Sequence, residues 1–365
     1  MTRILIVGGG IAGASLSAEI APHADVILAE AEPAFGVHAS GRSAAMFAPG
    51  YGNAVIRELN AASAEALGKA GVLSPRPILW LGRSDQRELF EAEVAESGMT
   101  PIPVAEALGL VPILNAARVA FAAIDTGSAD IDTDRLLQSC LSRARRAGAK
   151  TLTGARVTGL TRTAGGWRAE TTRGTFPADV VVNAAGAWAD DVARMAGLAP
   201  LGLQPLRRSM ARLPAPAGHD VRAWPMIHPA GGGWYAKPDA GKWLVSPAEE
   251  DPMPPMDAWP DDMTLAHGLA RYEEMVTVPV TRVEASWAGL RTFAPDRTPV
   301  VGPDPADSAF FWLAGQGGYG FQTAPALARV AAARIAGVAC DLPARVLRAM
   351  DPARFRQAAA PCAFP

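Results

Sequence analysis

The chain has 365 residues, of which 49% are hydrophobic, enough for two domains or one large domain with an inserted lobe. Its formal net charge is −2 and its aromatic residues do not alternate with basic clusters, so it lacks the electrostatic footprint of proteins that bind nucleic acids or anionic membranes. No apolar run reaches the ~18 residues of a membrane span, and the N-terminus has neither the length nor the cleavage site of a signal peptide.

The three cysteines, Cys140, Cys340 and Cys362, lie far apart and have no CxxC or histidine-rich neighbours. This spacing predicts neither a disulfide framework nor a zinc site, and no other metal site is expected. We therefore expect a cytoplasmic protein in which each cysteine is a small apolar packing residue.

The first thirty residues have the pattern of a dinucleotide-binding βαβ unit. A β-branched run at residues 3–7 leads into a glycine-rich turn at 8–13, an Ala-rich helical segment follows to residue 21, and a second apolar run ends on Glu30. A strand, a glycine turn, a helix and an acid after the second strand are the elements of this fingerprint.

Each residue type of the fingerprint has a physical role. Gly8 permits the tight turn, Gly10 lets the backbone approach a pyrophosphate, and Gly13 lets helix and strand pack closely, while the N-terminus of the helix offers N–H donors. Glu30 is placed to accept hydrogen bonds from a ribose 2′-OH, and its charge disfavours NADP. This stretch alone leaves FAD and NAD open.

A small-residue turn at residues 33–45 predicts the start of another helix, with Ser40 as its cap. The N–H groups of residues 41–44 are candidates to hold a second anionic or polar part of a cofactor. The alternative interpretation of this segment is an ordinary capped helix start.

The middle of the chain alternates between helical and strand patterns. We expect a helix at residues 54–70 and another that starts within residues 130–134 and runs to 146, the second capped by Asp132 or Thr133. Pro75, Arg76 and Pro77 lead into a strand at 78–81. Strands at 150–157 and 167–170 flank a hairpin turn at Gly165 and Gly166, and a buried strand at 178–183 returns to the nucleotide fold.

Residues 203–287 are rich in proline, tryptophan and short alternating runs, which predicts an antiparallel second lobe. Its expected strands are 207–213, 226–228, 233–237 and 242–246, followed by a surface loop at 251–255 and a helix at 266–275. The chain then closes with a strand at 310–314, a second glycine-rich turn at 315–323 and a helix to residue 337. Both glycine-rich turns are expected to contact the cofactor. This favours FAD, because its length needs contacts far apart in sequence.

The predicted fold class is therefore α/β, in a two-domain α+β arrangement. A Rossmann-like FAD-binding domain comprises residues 1–75, 130–204 and 288–365. A second, mostly antiparallel β substrate domain comprises residues 76–129 and 205–287.

Six separated motifs resemble, in order, those of FAD-dependent amine and amino-acid oxidoreductases related to D-amino-acid oxidase, glycine oxidase and sarcosine oxidase, and D-arginine dehydrogenases most of all. They are residues 40–45, 73–77, 129–134, 183–188, 287–291 and 316–320. The resemblance implies non-covalent FAD. The expected cofactor contacts are Gly8, Gly10, Ile11, Ala12, Gly13, Glu30, Ser40, Gly41, Arg42, Ser43, Ala44, Val157, Ala184, Gly186, Trp188, Gly317, Gly318, Tyr319, Gly320, Phe321, Gln322 and Thr323.

The resemblance also implies a substrate site. Arg208 and Arg291 would grip a carboxylate, which suits the forked guanidinium, and Tyr51 and Tyr235 would complete the site. Gly318 and Gln322 match positions near the flavin and the substrate amine. Arg207 alternates to the other face of its strand, where a surface charge or structural salt bridge is expected.

Departures from the D-arginine dehydrogenase pattern predict a different side-chain preference. Ile78 replaces a glutamate that would pair with a substrate guanidinium, Met46 and Ala48 replace a histidine and a threonine, and His228 replaces an apolar residue. With Trp80 or Trp234 nearby, an apolar pocket results. His228 is either structural or a partner for a polar side chain.

The implied reaction transfers a hydride from the α-carbon of a neutral D-amino acid to the flavin, giving an imino acid that hydrolyses to a 2-oxo acid and ammonia. Water or Tyr51 would accept the amine proton. The electron acceptor, a quinone, an electron carrier or O2, stays open. Alternatives are oxidation of an N-alkyl amino acid or a 2-hydroxy acid, and a non-catalytic flavin-binding redox module.

Overall fold

The structure, a computed structural model, describes residues 1–216 and 218–355. A six-stranded sheet forms the first layer, and its central strands are parallel. In spatial order its strands are Val300–Pro303, Phe310–Ala314, Val180–Asn183, Arg3–Val7, Asp25–Ala29 and Lys150–Leu152, of which only Val300–Pro303 runs antiparallel to its neighbour.

The predicted βαβ unit is confirmed at the centre of this sheet. Arg3–Val7 and Asp25–Ala29 pair in parallel, and the helix Ile11–Ile20 connects them. That helix packs against Thr133–Arg146 and Gly320–Ala336, so the helices that begin after both glycine-rich turns lie together.

A nine-stranded, mostly antiparallel sheet forms the second layer, as predicted. Along its path the strands are Asp251–Pro252, Gln204–Leu213, Lys242–Ser246, Tyr235–Asp239, Met226–Pro229, Ile78–Gly82, Phe121–Asp125 and Thr100–Ile102, while Ala285–Phe293 pairs with Gln204–Leu213. Only Met226–Pro229 and Ile78–Gly82 pair in parallel. The strands Gln204–Leu213 and Ala285–Phe293 continue across the predicted domain boundaries, and the division into domains stays a prediction.

Two three-stranded sheets and the remaining helices complete the described fold. The small sheets are Val157–Thr163, Gly166–Thr171 and Gly174–Ala178, and Met46–Phe47, Ala129–Ile131 and Leu73–Pro75. The other α-helices are Ala54–Lys69, Arg87–Ser97, Val104–Leu110, Ala189–Met195, Asp262–Glu274 and Ala344–Ala349. No helix in residues 1–216 and 218–355 is long and apolar enough to cross a membrane.

The predicted helix after residue 40 is wrong. Residues 33–42 form turns, and the next regular element is the strand Met46–Phe47. Ser40 instead accepts a hydrogen bond from the N–H of Ile11 at 3.0 Å. Its hydroxyl thus satisfies a free donor at the start of an earlier helix, a long-range contact that local sequence patterns do not reveal.

Three local predictions also needed correction. Residues 150–157 are not one strand, because Lys150–Leu152 pairs with the parallel sheet whereas Val157–Thr163 starts a separate hairpin. That hairpin turns at residues 164–165, and Gly166 is already paired with Thr163. The predicted loop at 251–255 begins with the short strand Asp251–Pro252.

Two of the three cysteines, Cys140 and Cys340, lie in the described residues. Cys140 is buried in the helical core beside the parallel sheet, where burial raises the pKa of its thiol to about 11, in agreement with a packing role. Cys340 is half-buried, and Cys362 lies outside the described residues.

Candidate active site

Side chains from six strands of the nine-stranded sheet share one face because directly paired residues point the same way. His228 pairs with Trp80, Met226 pairs with Ile78, and Ile78 pairs with Asp125. Arg291 pairs with Leu206, two residues before Arg208. These registers bring cavity-lining residues far apart in sequence to one face: Ile78, Trp80, Asp125, Arg208, Met226, His228, Tyr235, Lys237 and Arg291.

Three adjoining cavities run from the parallel sheet to this face. The nucleotide cavity, about 330 Å³, lies along Gly8, Glu30 and Trp188. The junction cavity, about 140 Å³, lies between the two glycine-rich turns, and the sheet cavity, about 560 Å³, lies over the nine-stranded sheet. Neighbouring cavities share lining residues, Gly10 and Ser40 for the first pair and Arg291 and Gln322 for the second. The three cavities together have room for one elongated ligand and for a second, smaller ligand at its end.

The nucleotide cavity has the close backbone approaches that a dinucleotide site needs. A Cβ on Gly8 would lie 2.4 Å from the carbonyl oxygen of Ala184, and one on Gly13 would lie 2.0 Å from the carbonyl oxygen of Gly8. The carboxylate of Glu30 accepts hydrogen bonds from the N–H groups of Gly9 at 2.6 Å and Glu32 at 2.8 Å. Glu30 thus stands at the end of its strand and lines the cavity.

The junction cavity contains polar atoms without a partner. The buried Nε2 of Gln322 and Oγ1 of Thr292 make no hydrogen bond to any described residue, although the Oε1 of Gln322 accepts from the N–H of Ala48 at 3.1 Å. Leaving a buried polar atom unpaired costs about 1–3 kcal/mol. A ring system with polar edges, such as that of a flavin, would satisfy these atoms, so the cavity fits FAD.

Arg291 and Arg208 line both the junction cavity and the sheet cavity, but their surroundings differ. Within the described part of the chain, the Arg291 guanidinium has no hydrogen bond and no ion pair. It lies against Gly318, where an added Cβ would be 3.1 Å from Nη1. Arg208 donates from Nε to the carbonyl of Glu249 at 2.8 Å, and its Nη2 lies 3.3 Å from Oε1 of Glu250. Of the two arginines, Arg291 is therefore the one with fewer protein partners.

Tyr235 is buried between these two arginines and lines the same cavities. Burial alone would raise the pKa of its phenol, but the charges of Arg291 and Arg208 outweigh burial and lower the pKa below its usual range. Its hydroxyl makes a weak contact with the sulfur of Met210 at 3.4 Å. The phenol is thus an available donor for an anion held by the arginines.

One wall of the sheet cavity consists of Ile78, Trp80, Met226 and His228. The rings of Trp80 and His228 stack with centroids 4.1 Å apart. The Nδ1 of His228 donates to the carbonyl of Pro229 at 2.9 Å, and burial lowers the pKa of His228 to about 4. The histidine is therefore neutral at ordinary pH and adds no charge to this wall.

Most of the predicted site residues line the cavities. All members of the predicted substrate set do so: Arg208, Arg291, Tyr51, Tyr235, Gln322, Gly318, Ile78, Met46, Ala48 and His228. Of the predicted cofactor contacts, Gly13, Gly41 and Thr323 do not line any of the three cavities formed by the described residues. Gly13 serves helix packing, and the Thr323 hydroxyl donates to the carbonyl of Tyr319 within its own helix. The individual roles stay predictions.

The structure also decides between residues that the sequence left ambiguous. Trp80 lines the sheet cavity, whereas Trp234 is buried in the core against Tyr272. Arg207 forms an ion pair with Asp251 at 2.7 Å on the opposite face of its strand from Arg208, in agreement with the predicted structural salt bridge.

Several residues of the sheet cavity are not among those predicted from the sequence. Met226 and Lys237 lie two positions from His228 and Tyr235 on the same strands, so the two-residue period of a strand could have identified them. Lys237 donates to the carbonyl of Ala44 at 2.9 Å and pairs with Asp130, which also pairs with Arg76 at 2.8 Å. Its charge is thus compensated.

Comparisons with known proteins follow this geometry. The chain is 29% identical over 180 residues to a bovine (Bos taurus) protein called FAD-dependent oxidoreductase domain-containing protein 1, covering 42% of this chain and 35% of the relative. It is 27% identical over 230 residues to human (Homo sapiens) mitochondrial dimethylglycine dehydrogenase, covering 58% and 26%. The chain thus spans about a quarter to a third of the length of these curated relatives.

Two solved structures share the fold over nearly the whole chain. L-proline dehydrogenase from P. horikoshii superposes with a TM-score of 0.84 at 22% identity, covering 98% of each chain. Glycine oxidase from Geobacillus kaustophilus has a TM-score of 0.79 at 22% identity, covering 95% of this chain and 98% of the other. The predicted two-domain fold class is confirmed, while the closer relation to D-arginine dehydrogenases stays a prediction.

The family described as DAO, FAD dependent oxidoreductase, matches residues 3–334. This match includes both glycine-rich turns and every cavity described above. The chain therefore belongs to the family of FAD-dependent oxidoreductases, which confirms the predicted family and the predicted cofactor, FAD.

Proposed function

We propose that the protein oxidises the Cα–N bond of a D-amino acid with a neutral, apolar side chain. The product is an imino acid, which hydrolyses to a 2-oxo acid and ammonia. The observation that carries this proposal is the unpaired guanidinium of Arg291, which lines the same cavity as the apolar wall at Ile78.

Arg291 is suited to bind the substrate carboxylate. A guanidinium that has no protein partner within the described chain can offer both arms of its fork to an incoming carboxylate. Arg208 and the Tyr235 hydroxyl, which line the same cavities, can add donors from the neighbouring strands. Binding at this position would fix the α-carbon at the boundary of the junction cavity.

Three carboxylates line the sheet cavity: Asp125, Asp296, which pairs with Arg354 at 2.8 Å, and Glu96, an exposed side chain that lies 3.8 Å from Arg57. Asp125, the strand partner of Ile78, accepts hydrogen bonds from the N–H of Gly127 at 2.8 Å and from the hydroxyl of Ser128. Asp130 is engaged by Arg76 and Lys237. Since Ile78 itself is apolar and only 6% exposed, the wall supports a neutral substrate side chain.

Bound FAD would supply the hydride acceptor, and the protein would supply orientation. Arg291 and Arg208 would hold the carboxylate so that the α-carbon hydrogen points towards the junction cavity. The amine must lose a proton before the transfer. Water or Tyr51, which is 49% exposed at the mouth of the sheet cavity, would accept it.

A second candidate is oxidation of a secondary or tertiary amine that carries a carboxylate. The names of two similar proteins, dimethylglycine dehydrogenase and L-proline dehydrogenase, favour this candidate. The same arginines would bind the carboxylate, and the difference would lie in the substituent on nitrogen.

The test is anaerobic reduction of the purified holoenzyme by a panel of D- and L-amino acids, N-methyl amino acids and 2-hydroxy acids. Loss of flavin absorbance is expected to be fastest with D-leucine, D-methionine or D-phenylalanine. Faster reduction by D-arginine would refute the side-chain preference, and faster reduction by N-methyl amino acids would establish the second candidate. If no compound reduced the flavin, both candidates would fail.

A further inference from the structure

We propose that Glu250 weakens the hold of Arg208 on a carboxylate, so that the two arginines bind unequally and the 2-oxo acid product can leave. This inference rests on the proposed carboxylate site. Glu250 does not line the three cavities of the described chain and would act through Arg208, as a positioning residue rather than a catalytic one.

The first observation is the unequal pairing of the two arginines. The Nη2 of Arg208 lies 3.3 Å from the Oε1 of Glu250, and its Nε is occupied by the carbonyl of Glu249. Arg291 has neither kind of partner among the described residues. An incoming carboxylate must therefore compete with Glu250 at Arg208 but finds Arg291 free.

The second observation is that Glu250 is fixed in place from its other side. Arg297 binds it through two hydrogen bonds, from Nη1 to Oε2 at 3.0 Å and from Nη2 to Oε1 at 2.9 Å. The Arg297 guanidinium also lies 3.8 Å from the centre of the Phe293 ring. Its hydrogen bonds to Glu250 raise the pKa of Arg297, so its charge is secure. Glu250 is thus held by Arg297 as well as by Arg208.

The third observation is the backbone of Arg297, whose φ of +58° is unusual for a residue with a side chain. Such a conformation is strained and persists only where surrounding contacts enforce it. The contacts present are the Glu250 pair, the Phe293 ring and the hydrogen bond from the N–H of Arg297 to the carbonyl of Ala294 at 2.8 Å. The arrangement Arg208–Glu250–Arg297 is therefore held at an energetic cost.

The consequence concerns release as well as binding. Substrate and product both carry the α-carboxylate, so two free guanidinium groups would hold the product as firmly as the substrate. A carboxylate contact that is equally strong in the substrate and in the transition state does not speed the chemical step. The fixed charge of Glu250 bonds directly to Arg208 and also acts electrostatically on Arg291, so it lowers the affinity for both compounds, while the Arg291 guanidinium, which has no hydrogen bond among the described residues, preserves orientation.

The neighbouring ion pair provides a matched control. Asp251 pairs with Arg207 at 2.7 Å on the opposite face of the same strand, away from the cavity. Glu250→Gln and Asp251→Asn each remove one negative charge from adjacent positions, and both new side chains can still accept hydrogen bonds. Only the first change should affect carboxylate binding.

The experiment measures the Kd of the FAD-loaded protein for benzoate and for pyruvate by isothermal titration calorimetry, without turnover. Glu250→Gln is expected to lower both Kd values by roughly three- to tenfold, since charges a few ångströms apart interact strongly at the margin of a protein. Asp251→Asn is expected to leave them unchanged. In steady-state assays, Glu250→Gln should also lower the product-inhibition constant of the 2-oxo acid.

Arg297→Gln provides a second variant with the opposite sign. It removes the cation that shares the charge of Glu250, so binding of benzoate and pyruvate should weaken. Because Arg297 also lines the sheet cavity, the same change is made in the Glu250→Gln protein, where it should weaken binding less than in the wild type if Arg297 acts through Glu250. An unchanged or higher Kd in Glu250→Gln, or tighter binding in Arg297→Gln, would overturn the proposal while leaving the arginine site intact. If the wild-type protein bound neither probe, the proposed carboxylate site and this inference would both fail.

Discussion

Replacing Arg291 by methionine tests the proposed carboxylate anchor most directly. Removing one partner of a buried, hydrogen-bonded charge pair costs about 2–5 kcal/mol, which corresponds to roughly 30- to 4000-fold weaker binding. Arg291→Met should therefore raise the Kd for a carboxylate ligand and the substrate KM by this factor. Arg291→Lys keeps the charge but loses the fork, so its effect should be intermediate.

The structure also predicts what Arg291→Met should leave unchanged. Because Arg291 makes no hydrogen bond or ion pair in the part of the chain that the structure describes, its removal leaves no described protein group unpaired. FAD content and thermal unfolding should stay near wild type, with a shift in Tm of no more than about 4 °C. Arg207→Met, on the opposite face of the sheet, is the control for carboxylate binding. Loss of FAD from Arg291→Met, or equal loss of binding in Arg207→Met, would refute the assignment.

Three further predictions concern the side-chain wall, the phenol and the nucleotide turn. Ile78→Glu should raise the ratio of kcat/KM for D-arginine over D-leucine by at least about tenfold, a change worth ~1.4 kcal/mol, whereas Ile78→Gln should not. Equal ratios in the two variants would show that the charge at position 78 does not set the side-chain preference. Benzoate should bind at neutral pH, and its affinity should fall as the pH rises through the pKa of Tyr235, because the phenolate repels a carboxylate. The two arginines lower this pKa below its usual range. In Tyr235→Phe, Kd values measured from neutral to alkaline pH should no longer show this fall in affinity. Gly13→Ala should lower the free energy of unfolding by about 1–3 kcal/mol and reduce the amount of FAD bound per protein, since its Cβ would lie 2.0 Å from the Gly8 carbonyl oxygen. Gly68→Ala is the control: nothing lies within 4 Å of its Cβ, so this variant should not be destabilised in thermal unfolding.

Much of the local structure was predictable because its signals are local. The helix expected at 54–70 spans Ala54–Lys69. The helix expected to start within 130–134 and to reach 146 spans Thr133–Arg146, and Asp132 caps it by accepting from the N–H of Arg135. Hydrophobic periodicity and cap residues specify such elements within a few turns. The strand Lys242–Ser246 was placed at its observed ends for the same reason.

The predictions that were wrong involve partners distant in sequence. Ser40 looked like the cap of a following helix, but it accepts from Ile11, 29 positions earlier in the chain. Residues 150–157 looked like one strand, but their two halves pair with different sheets. Local patterns show that a residue can accept a hydrogen bond or extend as a strand, and they do not show which partner it finds.

The sequence alone determined the nucleotide half of this protein, because Gly8, Gly10, Gly13 and Glu30 lie within one βαβ unit whose geometry depends on neighbours in the chain. Tertiary structure decided the rest of the cavity. Strand register alone brings His228 beside Trp80, and the ion pair of Arg208 depends on a loop more than forty residues away, where Glu250 lies. Sheet pairing is non-local, so only the tertiary structure distinguishes Arg291, which has no protein partner among the described residues, from Arg208, which is paired.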